Sequence, residues 1–367
     1  FRYMQNELST KFWESIEKLE CLSLDDVADI IEENKQRSVP FPENMLLKLI
    51  QQRDQKALAV VETEKKELEK KHLLSERYEK GDFFIADAAD LPYFRDDMAS
   101  MENPLFALKP GDVRVIEYVS NSKGEVLKTT IRPAVNIGRA TIFDKDIWIF
   151  AISKLMQAKF EGKEINNAVE FSAEEFFQVT NRGRGGNQFV MFKEALNRLQ
   201  GTNIETEIET GGQKSASGFG LLDGWEVTEE SNKKLPLRVI VELPNWLYRS
   251  VVSDEVLPIS KEYFRLKKPI DRRIYEIARK YCGRQESWKI GLESLHQKTG
   301  ATMVITRFRF AINSLVQANV LPDYIIEYDR KSDMVTFINR DESVQEGFNK
   351  QDIKNLISKI STTKIMN

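Results

Sequence analysis

Histidine is nearly absent: His72 and His296 are the only two among 367 residues. They are far apart and form neither an H-x-H nor an H-E-x-x-H arrangement, so the paired-histidine metal site of a nicking replication enzyme cannot be assembled from them. Both read as exposed helical residues. Cysteine is equally scarce. Cys21 and Cys282 are too widely separated to suggest a disulfide framework, two thiols cannot make a four-ligand zinc site, and no basic-then-apolar leader opens the chain. A reducing cytoplasm fits. No apolar run approaches the roughly 20 residues that a membrane span needs. The patterns G-x-x-x-x-G-K-[ST] and G-x-S-x-G are missing too, which removes a P-loop and a nucleophile elbow. Carboxylates are plentiful but form no tight constellation. The expectation is a protein without catalytic activity, cofactor, metal or membrane association.

Charge of one sign is also lacking overall, the net being −3. Location matters more than the sum. Residues 1–80 hold 14 Lys and Arg against 17 Asp and Glu, which leaves 40 of each over 81–367. Within the balanced part the cations cluster. The segment "FRLKKPIDRRIYEIARKYCGR" carries Arg265, Lys267, Lys268, Arg272, Arg273, Arg279, Lys280 and Arg284 against only Asp271 and Glu276. Such a local excess can attract phosphate even on a faintly acidic protein.

Periodicity divides the chain. Residues 1–80 read as helices, with a Ser23-x-x-Asp26 start and an imperfect heptad seam through Leu47, Ile50, Ala57, Leu58, Val61 and Leu68 that leaves open a homodimer or partner helix. A linker is expected over 81–100. Over 101–232 come a strand pair, a helix burying Ile147, Phe150, Ala151, Leu155 and Phe160, the strand "AVEFS", a helix capped by Ser172, another helix, and a hairpin in "TNIETEIETGGQKSASGFGLLDGWEVT". The same order recurs over 233–341: a helix opened by Pro269, the strand "SWKI", a helix ending at Gly300, a helix burying Val304, Phe308, Ile312 and Leu315, and two strands around a turn. The predicted fold class is α+β, tandem winged-helix domains behind a helical N-terminal region. A tail over 342–367 carries one short helix through Ile353, Leu356, Ile357 and Ile360.

The glycine-rich loop in "VTNRGRGGNQFVMFKEALNRLQGT" does not match a dinucleotide fingerprint. Gly183 and Gly185 would need a third glycine at 188, where Gln188 stands, and the stretch before them has helical rather than strand spacing. It reads instead as the turn between two helices. A second helix placed in a major groove reads bases with residues such as Asn and Arg, while arginines in the turn grip phosphates. Asn187, Asn197 and Arg198 are therefore assigned to base edges, and Arg182, Arg184 and Lys193 to the backbone. On the matching helix of the second unit, Thr306, Arg309, Asn313 and Gln317 face outward, with Arg307 near its start. Arg265, Lys267, Lys268, Arg272 and Arg273 supply a further backbone grip. The same residue types also suit a solvated surface.

From about Tyr93 to Asp341 the chain resembles the replication initiator protein A family of bacterial plasmids. The stretches "DDMASMENPLFALKPG", "IRPAVNIGRATIFDKDIWIFAISKLM", "NRLQGTNIET", "LPNWLYRSVV", "YFRLKKPIDRRIYEIARKYCGRQESWKIGLESL" and "LPDYIIEYD" carry the likeness in order. The resemblance implies an initiator that binds repeats in double-stranded origin DNA, helps open the duplex and recruits the host helicase machinery. A winged-helix transcriptional repressor is the alternative. Arg272 and Arg273 are the matched positions expected to touch DNA.

Overall fold

The computed structural model describes residues 24–36, 50–51, 59, 62–78, 94–122, 125–210, 213–229 and 238–341. The heptad positions Leu47, Ala57, Leu58 and Val61, the Ser23 cap, most of the expected linker and the tail helix lie outside the described residues. The chain divides into two compact units, Phe1–Lys70 and Lys71–Asn367. In the first, helix α1 (Leu24–Lys35) carries a surface pair between Lys35 and Glu32 at 3.3 Å, three residues apart.

The second unit opens with strand β1 (Phe94–Asp97) and the short helix α2 (Met98–Glu102), where Asp97 caps the helix by accepting from the Ser100 backbone N–H at 2.7 Å. Residues 94–100 fall inside the stretch expected to be linker, yet Phe94, Asp96 and Asp97 are buried. Strands β2 (Ile116–Ser122) and β3 (Glu125–Arg132) form the expected pair. Helix α3 (Asp146–Phe160) has almost no polar stripe, and 10 of its 15 residues are buried, as a helix apolar all round requires. Phe160 departs from expectation: it stands in the last turn, beyond the core, and is 71% exposed.

Strand β4 (Ala168–Phe171) leads to helix α4 (Ala173–Val179), whose N-cap Ser172 accepts from the Glu175 N–H at 3.1 Å. Helix α5 (Gly186–Gly201) follows the glycine loop. Strands β5 (Asn203–Thr210) and β6 (Gln213–Gly220) then pair with each other, but they join β2 and β3 in a four-stranded sheet of order β2-β3-β5-β6. They are therefore not the hairpin that closes the first half of this second unit. That hairpin is β7 (Gly224–Thr228) with β8 (Arg238–Glu242), in a sheet of order β4-β8-β7. The domain boundary expected at 232/233 thus falls between two paired strands of one sheet, Val227 facing Val239.

Helix α6 (Asn245–Val252) and strand β9 (Val256–Ile259) connect the halves, and β9 returns to pair with β1, Phe94 facing Ile259. After a 3-10 turn, the order of the first half repeats: helix α7 (Pro269–Tyr281), strand β10 (Ser287–Gly291), helices α8 (Leu292–Thr299) and α9 (Ile305–Ala318), strands β11 (Tyr324–Asp329) and β12 (Met334–Asn339). The sheet order is β10-β12-β11, so in both halves the early strand pairs with the second strand of the late hairpin. Gly300 ends α8 at φ 66°, the left-handed cap that glycine adopts without strain. Val304, expected in the core, is the extended N-cap of α9. It lies outside the helical repeat and is 70% exposed. One contiguous core runs from Phe94 to Phe337 through both halves.

Candidate nucleic-acid interface

Helices α5 and α9 hold equivalent places in the two halves, each following a short helix and preceding the hairpin that closes a three-stranded sheet. Each buries one face: Phe192, Ala195, Leu196 and Leu199 on α5, and Phe308, Ile312, Leu315 and Ala318 on α9. At 100° per residue, the opposite face carries Asn187, Val190, Glu194 and Asn197 on α5, and Thr306, Phe310, Asn313 and Gln317 on α9. Asn187, Val190, Glu194, Asn197, Thr306, Phe310 and Gln317 are exposed, and Asn313 is half-buried.

The turn before α5 is fastened from behind. Asn181, held at φ 55°, accepts from the Arg77 backbone N–H at 2.8 Å and donates its amide to the Ser75 carbonyl at 3.0 Å. The Tyr78 hydroxyl donates to the Arg182 carbonyl at 2.6 Å. The same strap continues to the second half, where the Leu74 N–H donates to the Arg265 carbonyl at 2.7 Å. His72, expected on the surface, is fully buried. Its Nδ1 lies 2.6 Å from Asp271, while Nε2 faces the Lys268 ammonium at 2.8 Å and the Ser314 hydroxyl at 3.0 Å. Lysine only donates, so Nε2 accepts and Nδ1 carries the proton toward Asp271. His296, also expected on the surface, is half-buried and contacts the Met303 carbonyl at 2.8 Å.

Several residues assigned to DNA are instead structural. Arg272 is 2% exposed. Its guanidinium donates to the carbonyls of Leu266 at 2.9 Å and Phe264 at 3.0 Å and to Asp146 at 2.5 Å, with the Phe143 and Tyr263 rings alongside. Arg273 is 3% exposed and donates to the Ser100, Glu102 and Lys298 carbonyls as well as to Glu276. Both guanidiniums are closed off from the surface, because α7 turns its charged face inward and the acids that neutralise it, Asp146 and Glu276, are buried with it. Arg182 donates to the Phe143 carbonyl and to Asp146 at 2.9 Å. Arg198 forks onto Asp144 at 2.8 and 2.9 Å, a hydrogen-bonded pair that raises its pKa. Lys268 is held against His72, and burial lowers its pKa.

The remaining cations divide by partner. Arg265 donates to the Leu74 carbonyl at 3.1 Å and to Glu262. Arg184 is exposed, 3.4 Å from Glu174, with its guanidinium over the Tyr78 ring. Lys193 pairs with Glu229 behind β7, and Arg309 with Asp333 in the β11–β12 turn, so each cation ties its helix to the following hairpin. Asn313 donates to the Arg309 carbonyl at 2.9 Å and accepts from Arg330 at 3.1 Å. The Lys267 N–H donates to the His72 carbonyl at 2.7 Å, but the side chains of Lys267 and Arg307 are exposed and make no hydrogen bond or ion pair among the described residues. Sequence reasoning missed Phe310 and Arg330. Phe310 lies four residues after Thr306 and three before Asn313, a spacing that would have placed it on the outward face.

Behind this surface lies a buried charge cluster. Lys145, fully buried, contacts Asp96 at 2.6 Å and Glu276 at 3.1 Å, while Asp97 caps α2 beside them. Burial, reinforced by Glu276 and Asp97, pushes the Asp96 carboxyl up to about 8 even though Lys145 opposes it.

A family model described as replication initiator protein A matches residues 95–326. A putative replication protein of Wigglesworthia glossinidia brevipalpis is 42% identical over 277 residues, covering 74% of this chain and 98% of that protein. Two crystal structures of domains 2 and 3 of RctB resemble the mixed helix-and-strand arrangement distantly. They show 12% and 13% identity and TM-scores of 0.48 and 0.46, over 66% of this chain and 98% and 97% of theirs. No helix among the described residues is long and apolar enough to cross a membrane.

Proposed function

The chain belongs to the replication initiator protein A family, and from that premise we propose that it starts plasmid replication by binding repeated sequences in origin DNA through two winged helices. The observation that carries this reading is the internal repeat of the second unit. Helix, strand, two helices and a hairpin occur twice with the same strand order, and each time the last helix turns a mainly polar stripe outward. In this reading α5 and α9 enter successive major grooves, Asn187, Asn197, Thr306 and Asn313 meet base edges, and Arg184, Lys267, Arg307 and Arg330 meet phosphates. Binding energy and DNA distortion, rather than ATP hydrolysis or strand cleavage, help open the duplex. Recruitment of host helicase machinery completes the proposed role, and the chain itself catalyses no reaction. Family membership leaves the repressor alternative without support.

The test is binding of the purified chain to its plasmid's origin fragment and to shuffled DNA across a salt series. Origin DNA is expected to bind at least about a thousandfold tighter than shuffled DNA. Arg307→Ala is expected to make the salt slope shallower by about one. Equal, weak binding to both DNAs would remove the proposal, and cleavage of supercoiled origin DNA in Mg²⁺ would overturn its non-catalytic part.

A further inference from the structure

The two outward-facing helices share a sequence frame. "FKEALNRL" over 192–199 on α5 and "FRFAINSL" over 308–315 on α9 align without a gap, with Phe, Ala, Asn and Leu identical and Lys/Arg and Leu/Ile exchanged. The structure gives the frame one meaning in both copies. Phe192 and Phe308, Leu196 and Ile312, and Leu199 and Leu315 are buried, while Lys193 and Arg309 each pair with an acid of the following hairpin. Against that common frame, the centre of the outward face differs. It is Glu194 on α5 and Phe310 on α9.

Phe310 is 75% exposed, midway along α9 and between the exposed side chains of Thr306 and Gln317. Helix α9 has no acidic residue and carries Arg307, whose side chain has no partner among the described residues. An aromatic ring in a polar, cationic setting fits a partner that is anionic at its edges and apolar at one point. The major groove of duplex DNA has that character: phosphates line it, polar base edges floor it, and the thymine C5-methyl is its apolar group. Stacked base faces are closed to a side chain carried on a helix in that groove, so the ring would meet the methyl.

We propose that Phe310 is a specificity-determining residue that reads thymine through its C5-methyl in the half-site occupied by α9. The proposal rests on the DNA-binding reading above. Glu194 at the equivalent point of α5 cannot make this contact and, as an acceptor, suits the cytosine amino group instead. The two helices therefore prefer different bases although their frames match.

The probe is a duplex carrying the footprinted origin repeat, with its thymines replaced one at a time by deoxyuridine, which removes only the methyl. Wild-type protein is expected to lose about fourfold in affinity at one or two positions, the value of one buried methyl-sized group. Phe310→Ala is expected to lose a similar factor on the unmodified duplex and to ignore deoxyuridine at those same positions. Because the ring is exposed, the thermal midpoint of the variant is expected to match wild type, which separates recognition from folding. If wild type and Phe310→Ala respond alike to every replacement, the proposal is overturned while origin binding stands. If Phe310→Ala binds origin DNA like wild type yet fails to support plasmid replication in cells, the ring serves a protein partner and the proposal is again overturned. Equal binding of origin and shuffled DNA by wild type would instead remove the functional reading, and this inference with it.

Discussion

At the scale of single residues, the described arginines range from buried to solvent-exposed, a difference that composition cannot show. Arg272 and Arg307 are both cations in helices, yet one is 2% exposed against Asp146 and the other stands in solvent. Arg272→Ala would leave Asp146 buried with Arg182 as its remaining pair, and a loss of about 3–5 kcal/mol is expected in denaturant titration. Arg307→Ala is expected to change stability by less than about 0.5 kcal/mol while weakening DNA binding. A stable, fully folded Arg272→Ala variant would show that the buried pair is not needed. Asp96 gives a pH dependence of definite sign. Its folded pKa is raised to about 8 by burial, above that of the unfolded chain, so the native state holds the extra proton. Its contribution is complete below about pH 4 and is lost as pH rises through about 8. Urea midpoints between pH 5 and pH 9 should therefore fall less steeply in Asp96→Asn than in wild type, and parallel curves would refute this origin of the slope.

At the scale of elements, caps and turns decide where helices stop. Gly300 closes α8 in the left-handed region, and a Cβ there would lie 2.5 Å from that of Pro104. Gly300→Ala combines about 1–2 kcal/mol of backbone strain with that clash, so its Tm should drop further than that of Ser172→Ala, a lost N-cap worth about 1 kcal/mol. The reverse ranking would show that the α8 terminus yields locally. The same logic explains the strap at 72–78. It supplies backbone and side-chain partners to the turn before α5 and to the segment before α7, so the settings of both outward-facing helices depend on one short stretch. Lys193 and Arg309 extend that fastening to the hairpins.

At the scale of the whole second unit, the two repeated halves share one core and cannot be parted at the boundary periodicity suggests. Strand β8 lies beyond residue 232 but completes the sheet of the first half, and β9 pairs back to β1. A fragment ending at residue 232 would lack the central strand of the β4-β8-β7 sheet and expose Val169 and Phe171, which β8 covers in register. Such a fragment is expected to show no cooperative thermal transition by circular dichroism, whereas the full chain unfolds the described part of its second unit in one step. A folded, cooperative fragment would restore the independent-domain view.

Local rules read from sequence reached the repeated helix–strand–helix–helix order, the Ser172 cap, the Gly300 stop, the Pro269 start and the burial of Phe308, Ile312 and Leu315 on α9, because each depends on neighbours within a few residues. The family was equally legible, since "IRPAVNIGRATIFDKDIWIFAISKLM" and its companion stretches stand in one order along the chain. Contacts distant in sequence decided the rest. Arg272 is buried by Asp146, 126 positions away, and His72 by Asp271, 199 positions away. The β5–β6 hairpin left its expected sheet for β2–β3. Periodicity shows that a side chain faces an interior but not what waits there, and a charged residue meets solvent or a buried counter-charge according to the tertiary fold alone.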